Sequence, residues 1–171
     1  MDNVFKFIEP SVMETVLREA TRAQFSPEQV ILAEDQQRRA VFLIESGVVR
    51  VERGHMGFSV EISRLGPGEI FGEMSFVEDF GASASIVANE LVNVAIIDGK
   101  QVKLLMEASP EFYGQFYHSI AEILSRRLRE TTVRSIAEYS WGGASEQVLP
   151  PPSSLDDWGG GSPLRDNDDK N

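Results

Sequence analysis

Hydrophobic and polar positions follow two different periods along this chain. In residues 10–22, Val12, Val16, Leu17 and Ala20 recur at helical spacing. Pro10 stands near the start, where its missing N–H costs little, so a short helix is expected there. From Phe25 to about Asp98 the texture changes to short apolar runs rich in Val, Ile and Phe, broken by Gly, Pro, Asp or Asn. The runs are 29–32, 40–44, 48–52, 58–62, 69–71, 85–88 and 92–97. Alternation is only partial in 48–51 and 92–97, which predicts strands with some faces buried on both sides. Many short strands with close turn signals predict a sandwich or barrel rather than a βαβ fold.

Helical spacing returns after the β-region. Residues 101–106 carry a short helix signal, and Ala108-Ser109-Pro110 separates it from a longer helical stretch. Ser109-Pro110-Glu111 is a strong helix start: a Ser cap, Pro in the first turn and then an acidic residue. From 111 to 138 there is no Pro, and Tyr113, Phe116, Tyr117, Ile120, Ile123, Leu124 and Leu128 form an apolar stripe. That stripe has two uses, packing against the chain's own sheets or pairing with a second copy of the helix. Beyond Trp141, Gly, Pro, Ser and Asp dominate, and such a segment buries too little apolar surface to offset its ordering entropy. The expected organisation is a helical segment over 1–24, one domain over 25–138 and an acidic disordered tail over 139–171. Trp158 stands in that tail as a candidate docking point for a partner.

Composition narrows the function classes. The chain has 171 residues and no cysteine, so disulfides and thiolate metal sites are excluded. The first ten residues lack the basic-then-apolar pattern of a signal peptide. No segment approaches the roughly 18 apolar residues a membrane helix needs, so a cytoplasmic protein with no membrane association is expected. The net charge of −11 lowers the expectation of a nucleic-acid partner, because duplex binding needs a basic face to displace counterions.

Two stretches carry a family resemblance. In residues 29–54, Val30-Ile31, Asp35, Phe42-Leu43-Ile44, Gly47 and Val49 stand in the places of the first half of a cyclic-nucleotide-binding domain. Residues 65–76, LGPGEIFGEMSF, resemble the approach to that family's phosphate-binding cassette. The resemblance covers about residues 25–136. It implies a mainly β fold with flanking α: an antiparallel, jelly-roll-like β-roll with an N-terminal helix and a long C-terminal helix.

The resemblance also implies a ligand site. In the family's cassette a Gly lets the backbone approach the ligand, a Glu accepts from the ribose 2′-OH, and an Arg about nine residues later neutralises the cyclic phosphate. Gly72 and Glu73 match the first two, with Met74 and Ser75 continuing the segment. The family reads Pro-Arg-[Ala/Ser]-Ala-[Ser/Thr] where this chain reads Gly81-Ala82-Ser83-Ala84-Ser85. Alanine therefore occupies the arginine position. Losing one partner of a buried charge pair costs about 2–5 kcal/mol, which moves micromolar affinity toward millimolar at about 1.4 kcal/mol per decade. Arg50, Arg53 and Arg64 are candidate replacements from neighbouring strands. Gly72-Glu73 reads either as a working ribose contact or as inherited scaffold with Glu73 pairing an arginine.

Residues 126–132, RRLRETT, resemble the dimer helix of catabolite activator proteins, in which an Arg-Arg-Leu precedes a hydroxyl pair that meets the purine. By that resemblance Arg127 reaches Glu73, and Thr131 and Thr132 face the ligand. The same basic turn also suits a helix C-terminal region, and sequence leaves both uses open. The resemblance stops before the helix-turn-helix domain of those proteins, so DNA reading by that mechanism is not expected. Catalysis is not expected either. His55 and His118 are the only histidines, too few for a metal site of the cupin type, and no nucleophile–base constellation is present. The expectation is a non-catalytic regulatory or interaction module with weakened or lost cyclic-nucleotide binding, taking no cofactor beyond weak cAMP or cGMP. A protein partner and a homodimer through residues 111–136 are expected with it. The alternative is a working sensor of a cyclic nucleotide or related small ligand.

Overall fold

The computed structural model describes residues 4–78 and 80–141. A helix α1 (Pro10–Glu19) is followed by strands β1 (Thr21–Phe25), β2 (Val30–Leu32), β3 (Ala40–Ser46), β4 (Val49–His55), β5 (Phe58–Leu65) and β6 (Ile70–Phe71). A four-residue helix α2 (Met74–Val77) precedes β7 (Ser85–Ala88) and β8 (Val92–Asp98), and helices α3 (Gly99–Ala108) and α4 (Pro110–Trp141) close the order. The strands form two antiparallel four-stranded sheets, β1-β8-β3-β6 and β2-β7-β4-β5. This is the expected β-roll with helices at both ends. The described residues up to Glu130 make one compact unit, and those from Thr131 to Trp141 fall in a second.

The run 40–44 is apolar throughout because β3 is buried on both faces. Successive side chains of a strand point to opposite sides. Val41 and Leu43 join Ala95 and Ile97 of β8 in a core shared with Phe5, Ile8, Val16, Val102, Phe112, Phe116 and Ile120. Ala40, Phe42 and Ile44 face the other way, into the roll interior, with Val49, Leu65, Phe71, Ala82, Ile86 and Ala88. The central sheet thus separates a helix-facing core from a sheet-to-sheet core.

Two elements depart from the sequence reading. Helix α1 ends at Glu19, and residues 21–24 are not helical: they belong to β1, which pairs with β8 in register Thr21↔Ile96 to Phe25↔Val92. An edge strand that buries no side chain fully leaves a weak alternation signal. Helix α2 is too short for a periodic pattern. The start of α4 is as expected, with Phe112 N–H donating to Ser109 Oγ at 3.2 Å. Of the stripe named for dimerisation, Phe116, Ile120 and Ile123 are buried in the chain's own core, while Tyr113 and Leu128 are exposed. Phe112, outside the expected stripe, is buried beside Phe116. Among the described residues no helix is long and apolar enough to cross a membrane. The tail from residue 142, with Trp158, lies outside the described residues.

Candidate functional site

The site forms where β6 runs out. After Phe71 the chain turns at Gly72 with φ +82°, a left-handed conformation that favours glycine. A Cβ there would lie 2.6 Å from the Ala40 carbonyl oxygen and 3.0 Å from Phe42 Cδ2. Gly72→Ala is therefore expected to lose roughly 1–3 kcal/mol from backbone strain alone, with the clash added. A shift of the urea midpoint to lower concentration checks it. Gly81 is as confined, since a Cβ would lie 2.3 Å from Asp35 O.

Glu73 begins α2 but makes no side-chain cap. Its carboxylate turns inward and is 4% exposed, accepting from Arg127 Nη1 at 2.6 Å. The same guanidinium donates from Nη2 to the Ile70 carbonyl. Helix α4 is thereby fastened to both ends of the segment 70–73. Charge-assisted pairs of this geometry are among the stronger hydrogen bonds.

The second half of the cassette packs against the loop between β2 and β3. Asp35 N–H donates to Ala82 O at 2.9 Å, and Ala82 N–H donates to Gln36 O at 3.1 Å. Glu34 N–H donates to Ser85 Oγ at 2.9 Å. Ala82 and Ala84 are buried, and Ser83 Oγ contacts Met74 Sδ at 3.3 Å, joining the two halves. Ser75 lies in α2. Thr131 and Thr132 lie on α4 and are exposed.

The three arginines named as replacements are engaged elsewhere. Arg50 donates to Glu28 and Glu52 at 2.8 Å, Arg64 pairs with Glu61, and Arg53 lies 3.5 Å from Glu34. The hydrogen bond from Arg50 holds the Glu28 carboxyl below its ordinary 4.5. Arg50 first, and then Ser59, does the same for Glu52. Depressed carboxyl values contribute stability above the unfolded value, and this is lost as pH falls through the folded values. Arg50→Gln should therefore lose less stability than the parent as pH falls below the ordinary carboxyl value of 4.5, read as denaturation midpoints across an acid series.

Arg38 stands over a ring of the roll interior. Its guanidinium carbon lies 5.0 Å from the centroid of Phe42, the ring that borders Gly72 and stacks on Phe71 at 4.7 Å. His118 stacks on Phe7 with centroids 3.6 Å apart, and His55 is exposed at the end of β4.

The site is thus a two-sheet roll holding a confined glycine, a buried acid and an arginine from the closing helix. The chain belongs to the cyclic nucleotide-binding domain family, whose model matches residues 22–109. It is 31% identical over 128 residues to the Cyclic AMP receptor protein of Thermus thermophilus, across 74% of this chain and 57% of that protein. The crystal structure of the Thermus thermophilus catabolite activator protein superposes with a TM-score of 0.66 at 29% identity, covering 81% of this chain and 63% of that one. A cyclic nucleotide-binding domain from Methylobacillus flagellatus shares the fold at a TM-score of 0.73 and 18% identity, covering 86% of each chain. The chain thus spans less than two thirds of the length of the Thermus proteins it matches.

Proposed function

We propose that this chain is a non-catalytic regulatory module whose cassette takes a cyclic nucleotide with weakened affinity and reports it through α4. The observation that carries this reading is the buried Glu73–Arg127 pair. It ties the ribose-facing position of the cassette to the helix that closes the roll. A ligand hydroxyl that draws on the Glu73 carboxylate competes for the contact that holds α4, so binding shifts the population of helix packings. Ala82 at the phosphate arginine position sets the affinity low, at roughly 100 μM to 1 mM. Tyr113 and Leu128, exposed on α4, belong to the surface a protein partner or second copy would read.

The same pair supports a second reading. Glu73 already satisfied by Arg127 also describes a cassette kept as scaffold, with the module acting only through protein contacts. Hydrogen exchange with and without millimolar cAMP or cGMP separates the two. The first reading predicts altered protection over residues 70–78 and in α4. Identical exchange with either nucleotide would leave the scaffold reading in its place.

A further inference from the structure

We infer that Met74 is a redox-modification site that regulates the cassette: oxidation of its thioether to the sulfoxide closes the phosphate end to a cyclic nucleotide. This rests on the nucleotide-binding reading above. Met74 opens α2 directly after the buried Glu73, and its own side chain is exposed. Its Sδ accepts from Ser83 Oγ at 3.3 Å, across the gap between the two halves of the cassette. Ser83 directly follows Ala82, the position at which the family carries its phosphate arginine, and is exposed as well. A thioether sulfur is a weak acceptor, whereas a phosphate oxygen draws a charge-assisted bond roughly twice as strong as a neutral one. Reduced Met74 therefore yields the Ser83 hydroxyl to a ligand phosphate. One neutral hydroxyl is a poor substitute for a guanidinium, which agrees with the weak affinity set by Ala82.

The oxidant is a peroxide. The sulfur lone pair attacks one peroxide oxygen, and the S–O bond forms as the O–O bond breaks. The proton of the attacked oxygen passes to the departing one, which leaves as water when the oxidant is hydrogen peroxide. Sulfur is oxidised and the peroxide reduced by two electrons. An apolar side chain thereby becomes a polar, chiral one. The dipole of the new bond places negative charge on its oxygen, beside the Ser83 hydroxyl. That oxygen holds the hydroxyl that the thioether would release, and it repels the phosphate. The chain has no cysteine to compete for the oxidant. Met13 is buried in the helix-facing core, Met106 lies on α3, and Met56 is exposed between β4 and β5, so Met74 is the methionine of the cassette.

The test is titration of the full chain with cAMP and with cGMP before and after mild hydrogen peroxide, with the sulfoxide at Met74 and at Met56 followed by peptide mass spectrometry. The nucleotide that the parent binds should bind about tenfold more weakly, or worse, once Met74 is oxidised. Methionine sulfoxide reductases, one for each sulfoxide epimer, should restore the affinity. By linkage, bound nucleotide should slow sulfoxide formation at Met74 relative to Met56. Met74→Leu should bind with the same constant before and after peroxide, while Met56→Leu should keep the peroxide effect. Reductase reversal and ligand protection decide the matter if Met74→Leu does not fold. A parent that binds a nucleotide equally well with Met74 oxidised, or a peroxide effect that survives in Met74→Leu, would overturn this assignment and leave the nucleotide reading standing. A parent that binds neither nucleotide in its reduced state would overturn both.

Discussion

Arg127→Ala is expected to lower the unfolding free energy by about 3–5 kcal/mol, the usual result of breaking a buried pair by removing one partner. The cause is the residue left behind. Glu73 has a side chain only 4% exposed, and its carboxylate would lose the guanidinium that satisfies it. The Ile70 carbonyl would lose the same donor. For a chain of this length, at about 2–4 °C per kcal/mol, the melting temperature should fall by roughly 6–20 °C. Adding Glu73→Ala should recover part of that loss, because no charge is then stranded. The double-mutant cycle measures the coupling directly. Additive single effects would mean the pair does not fasten α4 to the cassette.

Ala82→Arg should raise cyclic-nucleotide affinity by at least about thirtyfold, the lower end of about 2 kcal/mol for a desolvated charge contact. Ala82 is 5% exposed and faces the sheet-to-sheet core, and its backbone is held on both sides by the loop 35–36. An arginine there would start from the frame that the family's cassette uses. The gain should shrink as salt is raised, since part of it is Coulombic. A folded Ala82→Arg protein with unchanged affinity would show that the cassette has lost more than one side chain. Far-UV and near-UV circular dichroism establish that the variant is folded before the titration is read.

Much of this fold was legible because its sheets leave strong patterns. The run 40–44 carries no polar residue because both faces of β3 are buried, and Ser109-Pro110-Glu111 marks the start of α4 to the residue. Strand β1 was not legible, since its pairing with β8 is made by the backbone and its side chains show no buried alternation. The site divides in the same way. The turn at Gly72 and the acid at Glu73 were marked by the resemblance of residues 65–76 to the family's cassette. The Glu73–Arg127 pair spans 54 positions, and the resemblance of residues 126–132 pointed to it. Arg38 carried no motif at all. It precedes β3 in a short turn, where the Ala40 N–H donates to the Arg38 carbonyl, so strand alternation does not reach it. The reverse error has the same origin: Arg50, Arg53 and Arg64 sit on suitable strands, but Glu28, Glu52, Glu34 and Glu61 hold them.

On the reading proposed above, the cassette still takes a cyclic nucleotide without its usual arginine. Isothermal titration of the purified chain with cAMP and cGMP, up to millimolar ligand, tests it most directly. Saturable heat with a dissociation constant of roughly 100 μM to 1 mM for at least one of them is the predicted result. No heat with either nucleotide at millimolar concentration would contradict it.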